Sequence, residues 1–398
     1  MPSRSEPIPF SRPFTGKEEE DAVIRVLRSG WLTTGKETLA FESEFGAFVK
    51  TPCLAVNSAT SGLHLALEAC GTGPGDLVLV PSYTFTSTAE VVRYLGAETV
   101  FVDVAPGTFH IDPLKLETTL EQLPPGKARA VIPVHYGGLP CDMEAVLSIA
   151  EKYRLKVIED AAHSFPSPLP PSSRVPAGSF AGAAGDAGVF SFYATKTITT
   201  GEGGMIASKN PGMIKRMSVM RSHGIDRSVW NRYTDTKASW YYEVIAPGFK
   251  YNIPDLLSAI GRVQLSRAML FLAMRQDIAA AYDRAFAGDE RFTLPPSGPG
   301  DARHLYPLRL NPERLSITRD EFIEKLQEQG VGVSVHFIPL HTMPYYKKRY
   351  KLKDDDFPES LSSFRRVISL PIWPGMTGAQ VERVITVVKE LGFAYTIA

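Results

Sequence analysis

Apolar residues recur along this chain with two different periods, and the alternation between them organises it. Over Lys17 to Arg28, the residues Val23, Ile24, Val26 and Leu27 fall at helical spacing, and Ser29-Gly30 marks the stop. A second helix is predicted over Glu37 to Val49, then a short apolar run, Cys53 to Val56. From there to about residue 210 strands and helices take turns. Strands are predicted at Leu77 to Val80, Val100 to Val104, Ala130 to Val134, Lys156 to Ile158 and Val189 to Phe192. Between them, helices are predicted from the Asn57 to Gly62 stretch to Cys70, over Thr84 to Leu95, and over Asp142 to Tyr153. The strands are apolar throughout, which is the pattern of a mainly parallel sheet covered on both faces.

Past residue 210 the pattern changes. A helix is predicted over 211–225, then an aromatic, polar stretch over 226–254 that includes Trp230, Tyr233 and Trp240. Asp255 is read as the cap of one long helix carrying Leu256, Ile260, Val263, Leu270 and Met274. A domain division is placed near residue 275, giving a large domain, 1–275, and a smaller α+β domain, 276–398. In the second, His304 to Leu310 and Val331 to Phe337 are predicted strands. Thr318 to Gln329 and Thr377 to Leu391 are predicted helices. Residues 165–186 are rich in Pro, Ser, Gly and Ala and read as a loop, either a surface insertion or a border of the substrate site.

Composition narrows the classes. With 398 residues, 44% hydrophobic and 22% charged, the chain has the balance of a two-domain globular protein. The formal net charge is zero, which gives no electrostatic reason to expect nucleic acid or an anionic membrane as partner. Cys53, Cys70 and Cys141 have neither zinc nor disulfide spacing, so no metal site is expected and a reducing cytoplasm fits best. The N-terminus lacks an apolar signal region, and no apolar run is long enough to span a bilayer. Gly71-Thr72-Gly73-Pro74-Gly75 precedes a strand and reads as a tight turn instead of a dinucleotide fingerprint.

The candidate chemistry centres on GVFSFYATKTITTGEGG, Gly188 to Gly204. A buried strand runs out into a polar loop carrying Ser191, Thr195 and Lys196. A desolvated lysine in that place can lose its proton and attack a carbonyl. Asp160 also follows a buried strand, at the same sheet edge. A carboxylate there needs a partner, and a pyridinium nitrogen is a suitable one. The helix start at Ala59-Thr60 offers N–H groups and a positive dipole end to a phosphate, with the Ser191 hydroxyl in support. Phe85 could stack on a flat ring. These are three handles of pyridoxal 5′-phosphate (PLP).

The ordered set SGWLTTGKETLAFESEF, NSATSGLHLAL, VIEDAAHS, GVFSFYATKTITTGEGG, RSHG and PGFKYNIPDLLSAIGRVQL resembles the DegT/DnrJ/EryC1/StrS family of PLP-dependent nucleotide-sugar aminotransferases. NSATSGLHL, PGFKYNIPDLLSAI and VSVHFIPLHTMPYY are most similar to its branch that acts on UDP-4-keto-pentoses, the UDP-4-amino-4-deoxy-L-arabinose aminotransferases.

The resemblance implies an α/β, fold-type I (aspartate aminotransferase-like) architecture, with a mainly parallel seven-stranded sheet in the large domain. It implies PLP held covalently on Lys196, which is also the proton shuttle, with Asp160 at the ring nitrogen and His163 against the cofactor. Phe85 would stack on the ring, and Ala59, Thr60 and Ser191 would bind the phosphate. Asn252 would reach the phosphate of a partner subunit, which requires a homodimer with shared active sites. The implied substrates are L-glutamate and a nucleotide-linked, UDP-type 4-keto sugar, for cell-surface glycan, lipopolysaccharide or other amino-sugar biosynthesis. Trp31, His336 and His341 are candidate substrate residues, each with an equal reading as a packed or structural side chain. Two alternatives stay open: the same chemistry on a 3-keto or dTDP-linked sugar, and a non-catalytic PLP-binding regulator.

Overall fold

The structure, a computed structural model, describes residues 6–226 and 241–397; Trp230, Tyr233 and Trp240 of the predicted aromatic stretch lie outside them. The larger part is a seven-stranded sheet in the order β1 (Cys53–Val56), β7 (Gly204–Ala207), β6 (Ala187–Ser191), β5 (Lys156–Asp160), β4 (Ala128–Val131), β2 (Leu77–Pro81), β3 (Glu98–Val102). All strands are parallel except β7, which pairs antiparallel with both β1 and β6.

Successive side chains of these strands enter cores on opposite faces, which is why the runs are apolar without alternation. Val78 and Val80 join a cluster with α3 (Ala59–Ala69) and α7 (Pro211–Met220), while Leu79, Val131 and Val157 pack on the other side. That other side is covered by α5 (Pro113–Gln122) and α6 (Met143–Tyr153). Two N-terminal helices, α1 (Lys17–Ser29) and α2 (Lys36–Val49), flank the sheet, with α4 (Ser87–Tyr94) following β2.

Three expectations are corrected, and one open alternative, that for residues 165–186, is decided. The predicted long helix after Asp255 is two helices, α8 (Asp255–Ser266) and α9 (Ala268–Phe286), bent by 61°. Asp255 does not cap α8, whose N-cap is Pro254. Its carboxylate instead accepts from the N–H groups of Gly35 (2.7 Å), Glu37 (3.2 Å) and Thr38 (3.0 Å), so it caps α2. Val331 to Phe337 forms no strand. Val331 makes an isolated bridge to Ile8 and Ser334 another to Ser369, while the His336 carbonyl accepts the hydroxyls of Tyr83 and Tyr136. Residues 165–186 do not border the cavity described below. Arg174 pairs with Glu144 and Glu151 of α6, and Leu169, Val175 and Ala181 are buried in the core on that side.

The second part holds an antiparallel sheet, in the order β10 (Val367–Leu370), β9 (Tyr306–Leu310), β8 (Phe292–Thr293). Its core joins Tyr306, Leu308 and Ile368 to Phe322 of α10 (Arg319–Glu328) and to Val384 of the last helix, Gly378–Ala394. Thr318 and Thr377 cap these two helices through reciprocal bonds with Glu321 and Gln380. Helix α9 belongs to both parts. Phe271 packs with Phe41 and Phe45, whereas Ile278, Tyr282 and Phe286 pack against the small sheet. We place the domain division within this helix, at Arg275.

Candidate active site

Strands β1, β2, β5 and β6 run out at their carboxyl ends on one cavity of about 460 Å³, the place where open parallel sheets bind ligands. Each strand delivers part of its wall. After β1 comes the start of α3, where Ser58 caps through a 3.1 Å bond from the Ser61 N–H. The leading N–H groups, those of Ala59 and Thr60, have no place in the helical ladder and line the cavity. Backbone closeness makes this possible. A Cβ on Gly204 would lie 2.8 Å from the Ala59 nitrogen, so only glycine lets β7 pass beside the helix start.

Strand β5 ends on Asp160, which is 5% exposed. Its Oδ2 accepts the Thr88 hydroxyl at 2.8 Å and its Oδ1 the Ala162 N–H at 3.2 Å. Burial raises the carboxyl above its ordinary range, opposed by these two bonds and by the nearby Lys196 charge. Strand β6 delivers Ser191 and then Lys196, whose amine burial brings down to about 8; the Asp160 charge opposes that shift and the Arg275 charge adds to it. A lysine in that condition is still mostly protonated at neutral pH, but its free-base fraction, roughly a tenth, far exceeds that of an exposed lysine.

His163 completes this side. Its Nδ1 accepts the Gly137 N–H at 3.2 Å. Burial, then the charges of Lys196 and His336, hold the ring well below its usual pKa. A neutral ring accepting at Nδ1 carries its proton on Nε2. Phe85 is 56% exposed and lies in the wall, with its ring centroid 5.8 Å from that of Phe337. From the second part come His304, His336 and Phe337. His336 is held by Ser369 at 2.9 Å, and burial, then the Lys196 charge, pushes its pKa down to about 3.

Of the residues expected from sequence, Ala59, Thr60, Phe85, Asp160, His163, Ser191, Lys196 and His336 meet in this cavity. Three do not line it. His341 is fully buried, bonded to Ser82 and stacked on Phe357, a structural side chain. Trp31 donates to the Thr34 carbonyl and packs over Gly35, where a Cβ would fall 2.2 Å from the indole nitrogen. Asn252 donates to the Thr34 hydroxyl at 2.7 Å and is absent from the wall of its own chain's cavity. Sequence reading missed Thr88, Phe337 and His304. Thr88 carries no local signal, because its contact with Asp160 spans 72 positions.

The residues present fit PLP. A helix start and a hydroxyl suit its phosphate, a buried carboxylate its ring nitrogen and a deprotonatable amine its aldehyde, and the cavity is of small-molecule size.

The model of the DegT/DnrJ/EryC1/StrS aminotransferase family matches residues 13–389. The spore coat polysaccharide biosynthesis protein SpsC of Bacillus subtilis is 41% identical over 389 residues, covering 96% of this chain and 97% of that protein. A Streptococcus pneumoniae protein assigned as a sugar aminotransferase, solved in its PMP form, superposes with a TM-score of 0.87 at 31% identity over 98% of each chain. It has also been solved in a PLP form. Helicobacter pylori PseC, an aminotransferase involved in pseudoaminic acid biosynthesis, superposes with a TM-score of 0.87 at 26% identity, covering 98% of this chain and all of that one, 100%.

Proposed function

The chain belongs to the DegT/DnrJ/EryC1/StrS aminotransferase family, a PLP-dependent sugar aminotransferase of fold type I, and from that premise we propose that it moves an amino group from L-glutamate to a nucleotide-linked 4-keto sugar. The observation that carries this reading is the meeting of Lys196, Asp160 and the α3 start on one cavity. The 4-keto pentose preference rests on the likeness of VSVHFIPLHTMPYY, whose His336 and Phe337 line the cavity from the second part. The spore coat polysaccharide role in the B. subtilis relative's name supports a product destined for a cell-surface glycan.

Bound PLP supplies an aldehyde that takes the donor's nitrogen and a ring that accepts the electron pair released at carbon. The protein's own groups do the rest. Lys196 Nζ, whose free-base fraction burial makes appreciable near neutral pH, would take the donor's α-proton and return it to the cofactor carbon on the far side of the donor nitrogen. Asp160, fixed by Thr88 and Ala162, keeps the ring nitrogen protonated. The Ala59 and Thr60 N–H groups and the Ser191 hydroxyl anchor the phosphate. Phe85 and His163 bound the ring's position, and His336 and Phe337 face the sugar. We take the working unit as a homodimer, a reading supported by Asn252, which is matched to the family's phosphate-binding position yet does not line its own chain's cavity.

The test is the visible spectrum of the purified, cofactor-loaded protein. Glutamate should shift the cofactor band, and a UDP-4-keto-pentose should restore it. Restoration only by a 3-keto or dTDP-linked sugar would move the substrate assignment, and no response to any amino acid would refute the reading.

A further inference from the structure

His304 lies two residues ahead of β9, lines the cavity and is 4% exposed. Its Nδ1 is shut away from solvent and has no partner among the described residues, which leaves Nε2 as the nitrogen facing the cavity. The ring centroid is 4.5 Å from that of His163, itself a donor through Nε2.

Behind His304 stands Arg275, 1% exposed. Its Nη1 donates to the carbonyls of His304 (3.1 Å) and Ile372 (2.8 Å), and its Nε has no partner among the described residues. Among the described residues no carboxylate pairs with it. A guanidinium in the interior with only carbonyls for company is costly unless an anion comes close. Burial lowers its pKa only to about 9, so it stays charged at neutral pH, and its field reaches both His304 and Lys196. The rings of His304 and His163 and the charge of Arg275 therefore converge on one corner of the cavity, beside the Lys196 amine. Asp160 is the buried acid near them, and its carboxylate is already engaged by Thr88 and Ala162.

We propose that His304, held from behind by Arg275, receives the carboxylate of the amino donor. Its Nε2–H and that of His163 donate to the carboxylate oxygens, and Arg275 supplies the balancing charge. This rests on the reading that the donor is an amino acid. The phosphate has its own N–H groups at the α3 start, so the two anionic ligand groups occupy different parts of the wall.

The test uses the full-length, cofactor-loaded protein with glutarate, an unreactive dicarboxylate, as probe. In His304→Gln, glutarate affinity measured by calorimetry should fall about tenfold or more, the scale of a hydrogen bond to a charged group. The sugar half-reaction, started from protein already carrying the amino group, should keep its rate. Glutarate affinity within twofold of the parent protein overturns the proposal, and so does equal loss in both half-reactions, which would assign His304 to the sugar. A second measurement needs no functional variant. Nitrogen-15 NMR of histidine-labelled parent protein should show His304 neutral with its proton on Nε2, shifting when glutarate is added. Absence of that shift in protein that glutamate still converts refutes this inference alone. Protein converted by no amino acid refutes the underlying reading as well.

Discussion

Thr88, in the first turn of α4, donates its hydroxyl to Oδ2 of Asp160 at 2.8 Å. A hydroxyl has one proton, so Thr88 must accept from Thr84, whose Oγ1 lies 2.8 Å away. The chain of two threonines thus feeds a hydrogen bond into a carboxylate whose charged form burial disfavours. The segment after β2 and the end of β5 are tied together at the point where we propose that the ring nitrogen is held.

Removing that bond should favour the neutral acid. Thr88→Val is expected to raise the Asp160 pKa further, so the loss of cofactor affinity on acidification begins at a higher pH than in the parent protein. Turnover at neutral pH should fall about tenfold, the scale of one hydrogen bond to a charged group. Thr88→Ser restores the hydroxyl and should restore the parent profile. A pH titration of cofactor binding in the three proteins checks this, and an unchanged profile in Thr88→Val would show that Asp160 is kept ionised by other means.

Lys196 carries a second pH dependence. Its amine titrates at about 8 because burial penalises the charged form. The rate at which cofactor-free protein takes up PLP should therefore rise with pH and level off above that value, where the free amine is already abundant. An exposed lysine would go on rising to about 10.4. Lys196→Ala should abolish both covalent attachment and transamination while leaving the circular dichroism spectrum unchanged.

The contact between β7 and the start of α3 offers a steric test. A methyl at Gly204 would come within 2.8 Å of the Ala59 nitrogen and within 2.9 Å of the Phe190 carbonyl oxygen, both backbone atoms that cannot swing away. Gly204→Ala is expected to push the helix start off its position, to cost roughly 1–3 kcal/mol of stability and to weaken PLP binding. Denaturant midpoints and cofactor dissociation constants measure the two effects. A parent-like dissociation constant would mean that the phosphate is anchored away from Ala59 and Thr60.

The strand-and-helix alternation was legible because the large sheet is built from runs that bury both faces, such as Val78 to Val80 and Val157 to Ile158. The cavity residues carried by those strands were legible for the same reason: each follows a buried run. Contacts made by groups far apart in sequence were not. Asp255 looked like the cap of its own helix, yet its oxygens are taken by Gly35, Glu37 and Thr38, between 217 and 220 positions away. The alternating pattern at Val331 to Phe337 suggested a strand, but two tyrosine hydroxyls take the His336 carbonyl that a neighbouring strand would have used. Composition marked residues 165–186 as a loop without saying which surface it lies on, and that is decided by Arg174 and the acids of α6.

That loop ends in a device directly beneath the candidate site. Glu159, the neighbour of Asp160 in β5, is fully buried. It accepts the N–H groups of Gly182 (2.8 Å), Ala184 (2.7 Å) and Gly185 (2.7 Å), and pairs with His135 Nε2 at 2.9 Å. Cys141 donates its N–H to His135 Nδ1, so the ring proton sits on Nε2 and is donated to Glu159. Burial alone would raise the Glu159 carboxyl, but these donors outweigh it and hold it below its ordinary value. Because the folded pKa is depressed, the stability this group contributes is complete above the ordinary glutamate range and is lost as the pH falls through the folded value.

Glu159→Ala would leave four donors without an acceptor in the interior, and the expected cost is roughly 3–5 kcal/mol. Glu159→Gln keeps one acceptor oxygen but sets an amide N–H₂ against two donors, so its stability should fall between those of Glu159→Ala and the parent. His135 also donates its backbone N–H to the Asp160 carbonyl at 3.1 Å. Loosening Glu159 should therefore blunt the activity of Glu159→Gln even where it remains folded. Unfolding curves at pH 7 and pH 4 separate the terms. A variant as stable as the parent at both pH values would show that the 182–185 backbone finds other acceptors and that the loop does not brace the strand carrying Asp160.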